Sequence, residues 1–106
     1  MYARTVRMEL KPNSVAEFTR LMDKDVIPML RKQHGFKDEI AFVPTDGKEA
    51  IAISFWEERE NADTYNRATY PEVLKTLAKV VVGNPQIHTL EVTNSTFHKV
   101  AASVAA

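Results

Sequence analysis

Hydrophobic and polar positions alternate from the start of the chain: Tyr2, Arg4, Val6, Met8 and Leu10 share one side, and Ala3, Thr5, Arg7 and Glu9 the other. A period of two is the repeat of a strand. Lys11-Pro12-Asn13 breaks it, and Ser14 stands three residues before Glu17. That is capping-box spacing, in which a hydroxyl and a carboxylate each satisfy a free backbone N–H at a helix start. The period then lengthens, with Val15, Phe18, Leu21, Met22, Val26, Met29 and Leu30 on one helical stripe. Arg31, Lys32 and His34 before Gly35 mark its end. Pro28, inside the stripe, cannot donate a backbone hydrogen bond and predicts a kink.

Residues 36–43 and 49–56 are rich in β-branched and aromatic side chains and flank Pro44-Thr45-Asp46-Gly47, which predicts a hairpin. Residues 57–68 read as a helix without a strong apolar stripe. Thr69 and Glu72 repeat the capping-box spacing with Pro71 in the first turn, opening a second stripe of Val73, Leu74, Leu77, Val80 and Val81. Gly83-Asn84-Pro85 closes it, residues 86–97 read as a Thr-rich last strand, and residues 101–106 as a weakly specified tail.

The order β-α-β-β-α-β is that of an α+β, ferredoxin-like domain over residues 1–100: a four-stranded antiparallel sheet, strand order 4-1-3-2, with the helices on one face. Helices cover only one face, yet the third strand is apolar or small on both: Ile51, Ile53 and Phe55 against Ala50, Ala52, Ser54 and Trp56. The uncovered face therefore calls for a partner, and a homodimer packed sheet against sheet is expected. At 106 residues the chain is one domain in size. Its 14 basic and 14 acidic residues cancel without a basic block, which argues against nucleic acid as a partner. The chain has no cysteine, so disulfide frameworks and thiolate chemistry are excluded. No apolar run approaches the roughly 18 residues that span a bilayer, so no membrane is expected and the cytoplasm is the expected location.

With this element order, a Gly-Phe pair opening the second strand (Gly35, Phe36) and a strand ending Phe55-Trp56-Glu57-Glu58 before an acidic helix, the chain resembles the antibiotic biosynthesis monooxygenase family. The likeness runs from Met1 to about Phe97 and rests on pattern and a short Trp-centred signature. It implies the dimeric α/β barrel fold and a pocket for a hydrophobic, aromatic small molecule. Family members include oxygenases that use no metal or flavin on phenolic substrates, quinol oxygenases, haem-degrading enzymes and proteins with no established reaction. The resemblance thus implies no cofactor for an enzyme of the first kind. Two departures stand out. Relatives commonly carry a histidine nine residues after the strand-end tryptophan, where this chain has Tyr65. The haem-degrading branch pairs an asparagine in the first strand with a later histidine, and this chain has Val6 and no histidine between Trp56 and Gly83. Haem degradation is therefore disfavoured.

Oxygenation without a cofactor draws its electrons from a substrate anion. The protein supplies a dry pocket, a base, and a donor or cation for the developing oxyanion. In strand order 4-1-3-2 the start of the first strand lies beside the ends of the third and fourth, which groups Arg4 with Phe55, Trp56 and Asn94. Tyr65 follows two to three helical turns after Trp56 and overhangs the same corner. Arg4 and Tyr65 are the candidate catalytic pair, and Trp56, Phe55, Asn94 and Tyr70 the candidate substrate contacts. Each has a plainer alternative: Arg4 snorkels or pairs with a carboxylate, Trp56 fills core or dimer interface, and Tyr65 and Tyr70 pack on amphipathic helices. His88 approaches Leu10 at the far end of the sheet, His34 favours a helix C-terminus, and His98 lies near the tail. No metal site is expected, since His88 and His98 are about 33 Å apart along an extended strand. The three glycines form no phosphate loop. The run Glu57, Glu58, Glu60 and Asp63 reads as compensation of a helix dipole. A non-catalytic ligand-binding or structural dimer is the rival to the enzyme.

Overall fold

The computed structural model describes residues 1–100; the 101–106 tail lies outside the described residues. Four strands form one antiparallel sheet in the order β2-β3-β1-β4: β1 (Tyr2–Leu10), β2 (Phe36–Phe42), β3 (Glu49–Trp56) and β4 (Val81–Glu91). This is the α+β, ferredoxin-like arrangement that the element order implies. The helical segments are α1 (Val15–Leu21), a π-helical turn (Met22–Val26), α2 (Ile27–Arg31), α3 (Arg59–Ala68) and α4 (Tyr70–Leu77). Their apolar stripes pack on the sheet face that carries Val6, Met8, Leu10, Ala50 and Trp56, and that interface is the core. None of the helices among the described residues is long and apolar enough to cross a membrane.

The helix expected to kink at Pro28 does more than bend. The residues before it widen into the π-helical turn, because Pro28 offers no N–H to the preceding turn. Met22 and Val26 remain buried on the sheet side, and Asp23 and Asp25 are exposed, Asp23 near enough to Glu39 to act on its charge. Neither Ser14 nor Thr69 caps its helix through its side chain. Glu17 pairs with Arg20 instead, and the Thr69 hydroxyl donates to Gln33 Oε1 at 3.2 Å, tying the two helical regions together. The capping box that does form is Glu58 with Asn61, whose Oδ1 accepts from the Glu58 backbone N–H at 2.9 Å. Gly35 permits it: with φ +78°, a Cβ there would lie 2.1 Å from Asn61 Oδ1.

β4 starts at Val81, five residues before the expected Gln86, and ends at Glu91 rather than Phe97. Gly83-Asn84-Pro85 is not a terminator. It is absorbed in a bulge, where Arg7 and Glu9 of β1 face Gln86 and Val82, with Gly83 at φ +67°. Pro85 is tolerated because β4 is an edge strand. His88 consequently pairs with Thr5, not Leu10, on the face away from the helices.

A second irregularity positions the pocket. In β2 the register shifts between Phe36 and Asp38, so that Phe36 pairs with Trp56, Asp38 with Phe55 and Glu39 with Ser54. In an unbroken strand Phe36 and Glu39 point to opposite faces. The extra residue brings both to the helix side, while Asp38, Ile40 and Phe42 join Ile51, Ile53 and Phe55 on the other. β3 itself stays regular, so Trp56 keeps phase with Ser54, Ala52 and Ala50 and faces the core.

Candidate functional site

Between sheet and helices lies a small pocket of about 30 Å³. Its floor is one row across the sheet, Glu39 on β2, Ser54 on β3 and Arg4 on β1, each paired with the next. Tyr65 of α3 and Tyr70 of α4 close one side, and Met22, Val26 and Leu30 the other. Val6, Met8, Ala52, Val73 and Leu77 complete an apolar lining. A mostly apolar cleft with a few converging polar groups is the usual form of a small-molecule site.

Arg4 is 3% exposed, a charge placed in a core. Its Nη2 donates to Asn66 Oδ1 at 2.8 Å, and its guanidinium carbon sits 4.1 Å from the centre of the Tyr70 ring and 5.2 Å from that of Tyr65. Aromatic faces and one amide thus hold the cation, and among the described residues it forms no ion pair. Burial lowers its pKa from the ordinary value, but a guanidinium keeps its proton at neutral pH. A buried cation without an anion keeps spare N–H donors, the kind of group that a ligand oxygen satisfies.

The aromatic side chains form a continuous stack. Phe36 meets Trp56 edge-on at 5.5 Å between ring centres, Trp56 meets Tyr65 at 5.1 Å, and Tyr65 meets Tyr70 at 6.1 Å. Trp56 is fully buried and donates its indole N–H to Ser54 Oγ at 2.9 Å. It therefore supports the pocket from behind and is absent from its lining. Burial pushes the Tyr65 phenol up to about 12 and raises that of Tyr70 too, with the Arg4 charge opposing in both. Both stay protonated at neutral pH and serve as donors, not bases. The Tyr70 hydroxyl is buried beside the Arg4 guanidinium, which opposes the rise in its pKa, and makes no well-aligned hydrogen bond among the described residues.

Of the residues singled out from sequence, Arg4, Tyr65 and Tyr70 converge on the pocket with Trp56 behind them. Phe55 and Asn94 do not join them. Phe55 points to the opposite sheet face, where its ring lies 6.5 Å from that of His98, because β3 alternates and Trp56 takes the core side. Asn94 falls beyond the end of β4, exposed, and accepts from the Thr93 hydroxyl. His98 pairs with Asp38 on that outer face, and His34 and His88 are exposed away from the pocket.

Sequence reasoning passed over Glu39. In Lys37-Asp38-Glu39 it reads as part of a solvated edge, and only the β2 bulge turns it inward. Its Oε2 is buried with no hydrogen-bond partner among the described residues. Burial first, and then the Asp23 carboxylate, push its pKa up to about 7. No local signal in the sequence marks it, since the bulge lies where no glycine or proline follows Phe36.

No family model matches this sequence, and no curated protein does. Solved structures do resemble the fold. A monooxygenase from the gene ActVA-Orf6 of Streptomyces coelicolor, in complex with the ligand nanaomycin D, superposes with a TM-score of 0.76 over 92% of each chain at 16% identity. A putative antibiotic biosynthesis monooxygenase from Bordetella bronchiseptica gives 0.74 over 86% of this chain and 95% of its own, at 16% identity. SnoaB, a cofactor-independent oxygenase from Streptomyces nogalater, gives 0.74 over 90% and 95%, at 11% identity. This chain has the antibiotic biosynthesis monooxygenase fold. The likeness covers 92–95% of those chains, so it takes in the sheet and both helical regions. At such identities it is a likeness of fold, and what the pocket does rests on its own residues.

Proposed function

We propose that this protein is a cofactor-independent monooxygenase of phenolic or quinol-type aromatic compounds. The observation that carries the reading is the pocket itself: an apolar slot whose polar end holds an unpaired cation, Arg4, and a buried phenol, Tyr70. A flat aromatic molecule would part the lining side chains to enter this small pocket, and its polar end would then stabilise negative charge on the ligand's oxygen. Deprotonated, the substrate carbon bonds dioxygen to form a peroxide; loss of the remaining C–H proton then breaks the O–O bond, so the carbon becomes a carbonyl, the other oxygen leaves as water, and the substrate supplies all four electrons. Two fold neighbours support the assignment, one a cofactor-independent oxygenase and the other a monooxygenase solved with nanaomycin D. Tyr65 and Tyr70, kept protonated, orient the substrate oxygen, and Arg4 balances its charge.

The same reading includes a homodimer through the outer sheet face. Ile40, Phe42 and Leu90 are 46%, 50% and 54% exposed there, beside Ile51, Ile53 and Phe55. A second copy, offering the same apolar stripe about a two-fold axis, is the matching surface.

Oxygen uptake measured with a panel of anthrones and hydroquinones tests the activity. Turnover above buffer is expected, with Tyr70→Phe slower by on the order of tenfold as one oxyanion donor is lost. No uptake across the panel refutes the oxygenase reading, and binding without uptake establishes the ligand-binding rival.

A further inference from the structure

Two ionisable groups of opposite sign line one pocket and do not pair. Arg4 and Glu39 stand on either side of Ser54 in the same row of the sheet. Two strand spacings separate their backbones by about 10 Å. Arg4 turns its guanidinium to Asn66 and the tyrosine rings, while Glu39 Oε2 has no hydrogen-bond partner among the described residues. A buried carboxylate oxygen without a partner is costly, and a nearby arginine is the obvious remedy. The fold declines it and leaves a gap between them, floored by Ser54 and roofed by Tyr65 and Tyr70.

We propose that Glu39 is the proton acceptor of this pocket, taking the acidic proton of a phenol or anthrone-type carbon acid whose oxygen is held by Arg4 and Tyr70. The substrate class rests on the oxygenase reading; the proton transfer does not need it. In the step, the substrate C–H or O–H bond breaks, its electron pair stays on the substrate as a delocalised oxyanion, and the proton forms a new O–H bond on Glu39. The negative charge thereby moves from a partly buried carboxylate to a site facing a cation. That transfer relieves Glu39 and satisfies Arg4 together, so the products are stabilised at both ends of the slot. Tyr65 and Tyr70 cannot replace it, since both phenols hold their protons at neutral pH. The titratable and charged groups facing Glu39 are Asp23 from the π-helical turn, Arg4 from β1, Tyr65 from α3 and Tyr70 from α4. Burial first, and the Asp23 carboxylate second, raise the Glu39 proton affinity so that it accepts a proton near neutrality.

Anaerobic exchange of the methylene hydrogens of dithranol, an anthrone, with deuterium oxide isolates this step from any reaction with oxygen. Proton NMR of the full chain with dithranol follows it, alongside oxygen uptake in air. Wild-type protein is expected to exchange faster than buffer, and Glu39→Gln to lose on the order of a hundredfold together with the rise of rate with pH around neutrality. Exchange in Glu39→Gln at the wild-type rate, or no exchange above buffer in the wild type, overturns the proposal. Glu39-dependent exchange without oxygen uptake upholds it and removes the oxygenase reading. Uptake that is equal in wild type and Glu39→Gln does the reverse. Should the glutamine variant misfold, Glu39→Ala decides the matter: a rate that grows with added acetate but not chloride supports the acceptor role, and indifference to acetate refutes it.

Discussion

Glu39→Gln should stabilise the folded protein in mildly alkaline solution and do nothing in acid. The carboxyl group rises from its ordinary 4.5 to about 7 in the fold, chiefly through burial. An acid with a raised pKa is bound to its proton more tightly when folded. Its ionisation therefore opposes folding: the penalty is absent below pH 4.5, grows as pH rises to about 7, and is constant above. At about 1.4 kcal/mol per tenfold change in proton affinity, the full penalty is about 3 kcal/mol, and partial solvent contact reduces it to about 2 kcal/mol. Glutamine has the same shape and no charge, so it removes the penalty and leaves the packing. Urea denaturation of both proteins at a series of pH values gives the difference directly, because every other group titrates alike in the two. At about pH 8 the variant should be about 2 kcal/mol more stable, equivalent to roughly 10 °C in Tm for a domain of this size. Near pH 4 the two should coincide. A difference that does not vary with pH, or a variant less stable at pH 8, would show that Glu39 is solvated or already paired, and the inference drawn from its isolation would fall with it.

Other consequences are as easily checked. Asp23→Asn removes the second cause of the Glu39 shift, so the stability gap between Glu39 and Glu39→Gln proteins should shrink and level off at a lower pH, read from the same urea series. Gly35→Ala strains a backbone at φ +78° and drives a methyl group into Asn61, so it should lose roughly 1–3 kcal/mol and loosen the start of α3, visible as faster amide exchange at Asn61. Phe42→Lys places a charge on the uncovered sheet face; light scattering should show a dimer for the wild type and a monomer for the variant. A wild-type mass near 12.0 kDa at micromolar concentration refutes the dimer.

Much of this protein is written in local pattern. Alternation from Tyr2 to Leu10, the Asp-Gly hairpin between β2 and β3 and the stripes on α1 and α4 each declare an element, because a period of two or of 3.6 follows from backbone geometry alone. Element order then yields the strand order, and with it the meeting of Arg4, Trp56 and Tyr65, since antiparallel neighbours leave little choice about which strand ends adjoin. The extent of β4 was not legible. A Gly-Asn-Pro run marks a turn in isolation, and only pairing with β1 holds it in the sheet as a bulge.

The chemistry of the pocket depends on tertiary structure in the same way. Whether Trp56 faces the core turns on which strand of the pair takes the irregularity, and the structure puts it in β2, opposite the aromatic cluster. That single extra residue also reverses Glu39, converting a surface charge into a buried one. A bulge is chosen by the fit of two strands and of the layer packed on them, so no stretch of one strand announces it. The sequence by itself determined the sheet, the helices and a cation on an apolar face. Only the assembled fold decided that the cation would go without an ion pair and that a carboxyl group would stand opposite it, because both follow from distances between residues far apart in the chain.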